Sequence, residues 1–185
     1  MTINERIISL KDGRTCLLRT PEERDAGQLL RYLQVMSTET IYVLSYPEEM
    51  IVNLEEEITF IKNIRESANR CMIAAFVGDE LAGTAQINIH TKIKTKHRAN
   101  LGIGLLEKFC NLGLGSQMIN YLIEIAQDKG CELLELEVIQ GNHRAIALYE
   151  RKGFARFGER KRGIRLKDGS YLSEYLMYKD LTSSR

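Results

Sequence analysis

Gly113-Leu114-Gly115 lies between an apolar stretch, Leu101 to Phe109, and a helix-patterned stretch from Ser116 to Lys129, and that junction decides the fold. A glycine pair where a strand feeds a helix lets backbone N–H groups approach an anion without Cβ interference. The helix behind it presents unpaired N–H groups with roughly half a positive charge. The run therefore reads as a cradle for a pyrophosphate, with Leu112, Gly113, Leu114, Gly115 and Ser116 as contacts. Two known cradles do not fit. A P-loop needs Lys-Ser or Lys-Thr directly after its last glycine, and Gly115 is followed by Ser116-Gln117. A dinucleotide fingerprint would place its third glycine at Met118, although Glu135 stands at about the separation of a ribose-binding acid. A tight turn before an ordinary helix start explains two glycines equally well, so a second segment is needed.

Asn142 to Phe154 supplies it. Asn142 is a good N-cap, Gly153 a good left-handed stop, and Arg151 and Lys152 stand in the last turn, where cations suit the helix dipole. Asn142 and Tyr149 are seven positions apart and share one helix face, so both can point at one ligand.

Together these segments resemble the acetyl-CoA-binding signature of the GNAT superfamily of N-acetyltransferases. The family's Q/R-x-x-G-x-G/A loop corresponds to Cys110-Asn111-Leu112-Gly113-Leu114-Gly115. Its Asn-x-x-Ala-x-x-Leu-Tyr-x-x-x-Gly-Phe segment is matched at Asn142, Ala145, Leu148, Tyr149, Gly153 and Phe154. Cys110 departs from the usual Gln or Arg; because backbone N–H groups hold the anion, this bears on cofactor affinity more than on cofactor identity. The resemblance implies an α/β fold of GNAT type (acyl-CoA N-acyltransferase), with a mixed sheet, helices on both faces and a V-shaped split between strands.

The implied chemistry is attack of a free amine on the acetyl thioester of acetyl-CoA. The carbonyl oxygen then needs donors, which the resemblance places at the backbone N–H groups of Leu105 and Leu106. The leaving thiolate needs a proton, and Tyr149 suits that role because an unperturbed phenol titrates near ~10, not far above a thiol. Asn142 can cap its helix, bind the pantetheine arm, or both. The residue that deprotonates the acceptor is open: Glu39, read as lying in the loop from Met36 to Pro47, is the first candidate, followed by Glu137, His90, His97 or a chain of waters.

At 185 residues the chain is long enough to bury a full core, and residues 1–185 are expected to form one domain. The 26 basic and 25 acidic residues leave a net charge of +1, which argues against nucleic acid as a partner. Four cysteines and three histidines without ligand spacing argue against a metal. No apolar run reaches the ~20 residues of a membrane span, and Met1 onward lacks a signal pattern, so a cytoplasmic location is expected. The expected partner is a small-molecule amine or a peptide end, and a homodimer is an allowed assembly. Other readings are a protein N-terminal or lysine acetyltransferase, and a non-catalytic acyl-CoA-binding module.

Outward from the two motifs, short strands are expected at Ile7–Leu10 and Thr15–Arg19. A helix opens with a capping box of Thr20, Pro21 and Glu23, and a second is capped by Asn53 with Glu55, Glu56 and Glu57 in its first turn. Strands are expected over Cys71–Val77, Leu81–His90, Asn100–Phe109, Leu133–Ile139, Ala155–Leu166 and Tyr171–Lys179, with hairpins at Gly78-Asp79-Glu80 and Asp168-Gly169. The basic stretch from Arg151 to Lys167 reads as one wet face of a strand.

Overall fold

The computed structural model describes residues 1–50 and 53–182. These form eight strands, β1 (Arg6–Ser9), β2 (Thr15–Arg19), β3 (Arg70–Val77), β4 (Glu80–Ile89), β5 (Arg98–Leu105), β6 (Leu133–Ile139), β7 (Ala155–Arg165) and β8 (Tyr171–Asp180). Four α-helices accompany them: α1 (Ala26–Glu39), α2 (Leu54–Glu66), α3 (Leu114–Asp128) and α4 (His143–Arg151). The fold is mixed α/β, with both antiparallel and parallel pairings. The chain divides into two compact units, Met1–Asn88 with Gly102–Leu122, and Ile89–Leu101 with the chain from Ile123 on.

In the first unit β1 to β4 form an antiparallel meander. Strand β3 is buried from Cys71 through Phe76, the pattern of a strand covered on both faces. Helix α1 packs on α2, whose Ile61 and Ile64 are almost wholly buried; each contributes on the order of 2 kcal/mol relative to an exposed side chain. Asn53 caps α2 as expected, accepting a hydrogen bond from Glu56 N at 2.8 Å.

Two boundaries differ from the sequence reading. Thr20 does not cap a helix; its hydroxyl accepts from Ile3 N at 3.0 Å. Asp25 takes the reciprocal role with Glu22 around a 3-10 turn at Glu23–Asp25, and α1 starts only at Ala26. The cause is Arg19, whose guanidinium binds Asp25 through Nη1–Oδ2 at 2.6 Å and Nη2–Oδ1 at 2.8 Å, both residues being buried. At its other end α1 continues through Met36, which is buried, to Glu39, so the expected loop from Met36 is instead helix for one more turn.

In the second unit β5 pairs parallel with β6, β6 antiparallel with β8, and β8 antiparallel with β7, which ends the row. Both hairpin glycines, Gly78 and Gly169, have positive φ, as their turns require. Strand β7 slips register twice against β8, and in the second slip Arg162 takes φ of 55°. Among the described residues no helix is long and apolar enough to cross a membrane.

Candidate active site

The glycine loop belongs to the first unit. Strand β5 ends at Leu105 rather than at Phe109, and a 3-10 turn, Glu107–Phe109, buries the Phe109 ring. The apolar run read as a longer strand is thus a strand followed by a buried turn. The backbone next enters the left-handed region at Asn111 (φ 63°) and Gly113 (φ 86°), and α3 begins at Leu114, two residues earlier than expected. Gln117 N donates to Gly113 O at 3.2 Å, so Gly113 closes the first helical turn. The N–H groups of that first turn have no intrahelical acceptors, which is what makes a helix start an anion site.

Gly113 is required by its backbone angle rather than by lack of space, since a Cβ there would meet only the Lys11 side chain at 3.8 Å. That contact also brings a lysine stem beside the loop, and Lys11 N donates to Leu112 O at 3.1 Å, tying the loop to the turn between β1 and β2. These residues fit a pyrophosphate: a left-handed glycine, a helix N-terminus and a nearby cation. Cys110 is partly buried, with its Sγ 3.6 Å from Leu106 O.

Of the two expected carbonyl donors, Leu106 has its N–H engaged with β4: it donates to Ala82 O at 3.0 Å and is therefore already paired. Glu39 sits at the last residue of α1, and its Oε2 accepts from Glu107 N at 2.8 Å. The structure thus brings Glu39 to the end of β5, beside Leu105 and Leu106. Close packing there depends on two glycines. A Cβ at Gly83 would lie 2.6 Å from Gly104 O, and a Cβ at Gly104 would lie 2.6 Å from the Tyr32 hydroxyl. Tyr32 is buried and receives Thr84 Oγ1 at 3.5 Å. Burial pushes its phenol up to about 12.

In the second unit α4 carries Asn142 and Tyr149. Asn142 Oδ1 accepts from Ala145 N at 3.1 Å, so the capping reading holds. Gly153, at φ 82°, ends the helix, and Phe154 N returns to Tyr149 O at 3.0 Å. That return sets the Phe154 ring edge-on to Tyr149 at 5.9 Å between centroids. Tyr149 is buried at 5% exposure, and burial pushes its phenol up to about 12, which keeps it protonated at neutral pH. Glu137 is bound by both terminal nitrogens of Arg160 at 2.6 Å, and this pairing holds its carboxyl below the ordinary range. A carboxylate so held is a poor proton acceptor. Among the described residues no group of three or more His, Cys, Asp or Glu could hold a metal ion.

The sequence pattern of the acetyltransferase (GNAT) family matches residues 35–154, which includes the glycine loop, Asn142 and Tyr149. The chain belongs to that family. A GNAT-family acetyltransferase from Streptococcus pneumoniae superposes with a TM-score of 0.83 at 30% identity, covering 90% of this chain and 99% of the other. The yncA protein of Salmonella typhimurium, solved with its cofactor acetyl-CoA, shares the GNAT fold at a TM-score of 0.76 and 13% identity over 97% of this chain and 95% of its own. L-amino acid N-acetyltransferase AaaT of Escherichia coli (strain K12) is 26% identical over 106 residues, which is 57% of this chain. The match spans 65% of that relative's length.

The sequence reading missed Tyr32, Gly104, Gly83 and Lys11. Tyr32 had a signal: with Leu29 and Met36 it follows helical spacing on the buried face of α1. The glycines had none, because what each would meet lies on another element.

Proposed function

We propose that the chain is an acetyl-CoA-dependent N-acetyltransferase acting on the primary amine of a small molecule or peptide end, with residues 1–185 working as one domain. The observation that carries this is the left-handed Gly113 turn delivering the start of α3, within a segment that has the GNAT pattern. Support for one working domain comes from β5 and α3, since each contributes residues to both compact units.

Acetyl-CoA, when bound, supplies the activated acetyl thioester. On this reading the amides of Gly113, Leu114, Gly115 and Ser116 hold its pyrophosphate, with Leu112 shaping the approach. Asn142, whose Oδ1 is engaged in capping, contributes its side-chain NH2 to the cofactor's arm. Leu105 is the remaining donor for the carbonyl oxygen. Tyr149 holds the proton for the departing sulfur. Glu39, with Oε2 fixed by the Glu107 amide, takes up the proton that the acceptor's ammonium group must lose.

Calorimetry with acetyl-CoA tests the cradle. Gly113→Ala forces an L-residue into the left-handed region at a cost of about 1–2 kcal/mol. We expect acetyl-CoA affinity to drop about tenfold as the loop relaxes. Equal affinity in the two proteins would remove the cradle. Glu39→Gln should lower kcat at neutral pH, leaving acetyl-CoA affinity unchanged. An unaltered kcat would return proton uptake to solvent.

A further inference from the structure

One acid of the first unit has no role in the chemistry above. Glu57 stands in the first turn of α2 beside Glu55 and Glu56, yet those two are exposed and Glu57 is 5% exposed. Its amide donates to Asn53 O at 3.2 Å, but its carboxyl group makes no hydrogen bond or ion pair with any described residue. A largely buried carboxylate without a protein partner gives up part of its hydration, and burial accordingly raises its pKa. Such a group calls for an explanation, and a neighbouring cavity provides one.

A cavity of about 190 Å³ opens on Glu57, walled by Tyr32 and Phe60 with Met72 at its side, and with Thr84 and Gln86 as the other polar groups. No Lys, Arg or His lines it. It therefore offers one negative charge, aromatic faces that attract cations, and no counter-ion for a carboxylate. Tyr32 also connects it to the end of β5, because a Cβ on Gly104, next to Leu105, would lie 2.6 Å from the same hydroxyl. The larger cavity of the second unit, about 510 Å³, lacks this property. Its Glu135 is held by Arg98 at 2.9 and 2.8 Å, and its Glu137 by Arg160.

We propose that the 190 Å³ cavity seats the acceptor and that Glu57 recognises its ammonium group, so that the enzyme takes primary amines on uncharged apolar or aromatic bodies in preference to α-amino acids. The inference rests on the acetyltransferase reading above and narrows its substrate class. An α-amino acid would bring its own carboxylate into a space that already holds Glu57 and has no cation to meet it. Glu57 is a specificity residue here: it recognises the ammonium form, and the nitrogen leaves that contact as Glu39 takes its proton, so that the free amine is what attacks the thioester.

The test uses the full chain and a matched pair of probes, phenethylamine and phenylalanine, which differ only by the carboxylate. The wild type should release CoA faster with phenethylamine, with a kcat/KM at least about tenfold higher. Loss of a charge-assisted contact in Glu57→Gln should raise the KM for phenethylamine by about 10- to 100-fold, with acetyl-CoA affinity unchanged. Glu57→Asp, which keeps the charge, should restore part of the loss. Gln keeps the shape of Glu and removes an unpaired charge, so the variant should melt no lower than the wild type.

Calorimetry of phenethylamine alone separates this inference from the broader reading. Binding to the wild type that is lost in Glu57→Gln supports the pocket even if no acetyl transfer is seen. Failure of acetyl-CoA to bind would sink the broader reading and leave the pocket result standing. Absence of phenethylamine binding to the wild type, an unchanged KM in Glu57→Gln, or a preference for phenylalanine or for peptides would each overturn the proposal.

Discussion

Tyr149→Phe should lower the rate of acetyl transfer by about 10²- to 10⁴-fold, the span associated with a positioned general acid. Acetyl-CoA affinity should be unchanged, because the ring and its packing survive the substitution. The edge contact with Phe154 and the Phe154 N to Tyr149 O hydrogen bond involve the ring and the main chain, not the phenol oxygen. The variant should therefore fold normally, and the loss should appear in kcat and kcat/KM together, as expected for an interaction made only in the transition state. The buried phenol sits at about 12, so it holds its proton through the neutral range. The rate should consequently show no basic limb from Tyr149 below about pH 10. Steady-state CoA release alongside calorimetry decides the matter, and equal turnover in the two proteins would exclude Tyr149 from the chemistry.

The largest effect on stability is expected at Asp25. Its two oxygens accept both terminal nitrogens of Arg19, and Oδ2 also accepts from Glu22 N at 2.7 Å. Arg19 lies over the Phe76 ring at 4.2 Å, and both side chains are largely withdrawn from solvent. Asp25→Ala would leave a buried guanidinium uncompensated, at a cost of about 3–5 kcal/mol. In a chain of this length that corresponds to a melting temperature lower by roughly 10 °C.

The effect has a defined pH dependence. Burial on its own would raise the Asp25 carboxyl, but the hydrogen bonds from Arg19 and the Glu22 amide outweigh it and hold the group below the ordinary 3.8. A carboxyl depressed on folding stabilises above its unfolded pKa and loses that stabilisation as pH falls through the folded value. The gap between wild type and Asp25→Ala should thus be complete at neutral pH and shrink only below about pH 4. Thermal or urea denaturation across pH measures it; a gap that is absent at neutral pH would show the pair to be energetically idle.

Much of this was legible because the signals were local. Asn53, Gly153 and the glycines of the two hairpins each fix their own few residues, and each does in the structure what its type dictates. The Gly113 loop and the Asn142 to Phe154 segment were legible for the same reason, as strings of fixed spacing. The misread boundaries were set at a distance. Thr20 looked like a cap until Arg19 drew Asp25 into that role, and Leu106 looked like a free donor until Ala82 took its amide. Glu57 is ambiguous for another reason. With Glu55 and Glu56 it is a first-turn acid that suits the helix dipole, yet with Ile61 and Ile64 it falls at spacings of four and three on the inward face. Its charge and its periodicity point to opposite environments.

The basic stretch has a consequence of its own. Strand β7 closes its row with one side of its backbone facing no other strand, and that rim carries Arg156, Arg160, Lys161, Arg162 and Arg165 along a ladder broken twice by slips in register. A second molecule approaching to extend the sheet would meet charged side chains, some already ion-paired, and an outline it could not match, which is how natural sheets avoid templating their own aggregation. Straightening the rim by deleting one slipped residue and replacing its arginines with threonine would turn a solvated border into an adhesive one.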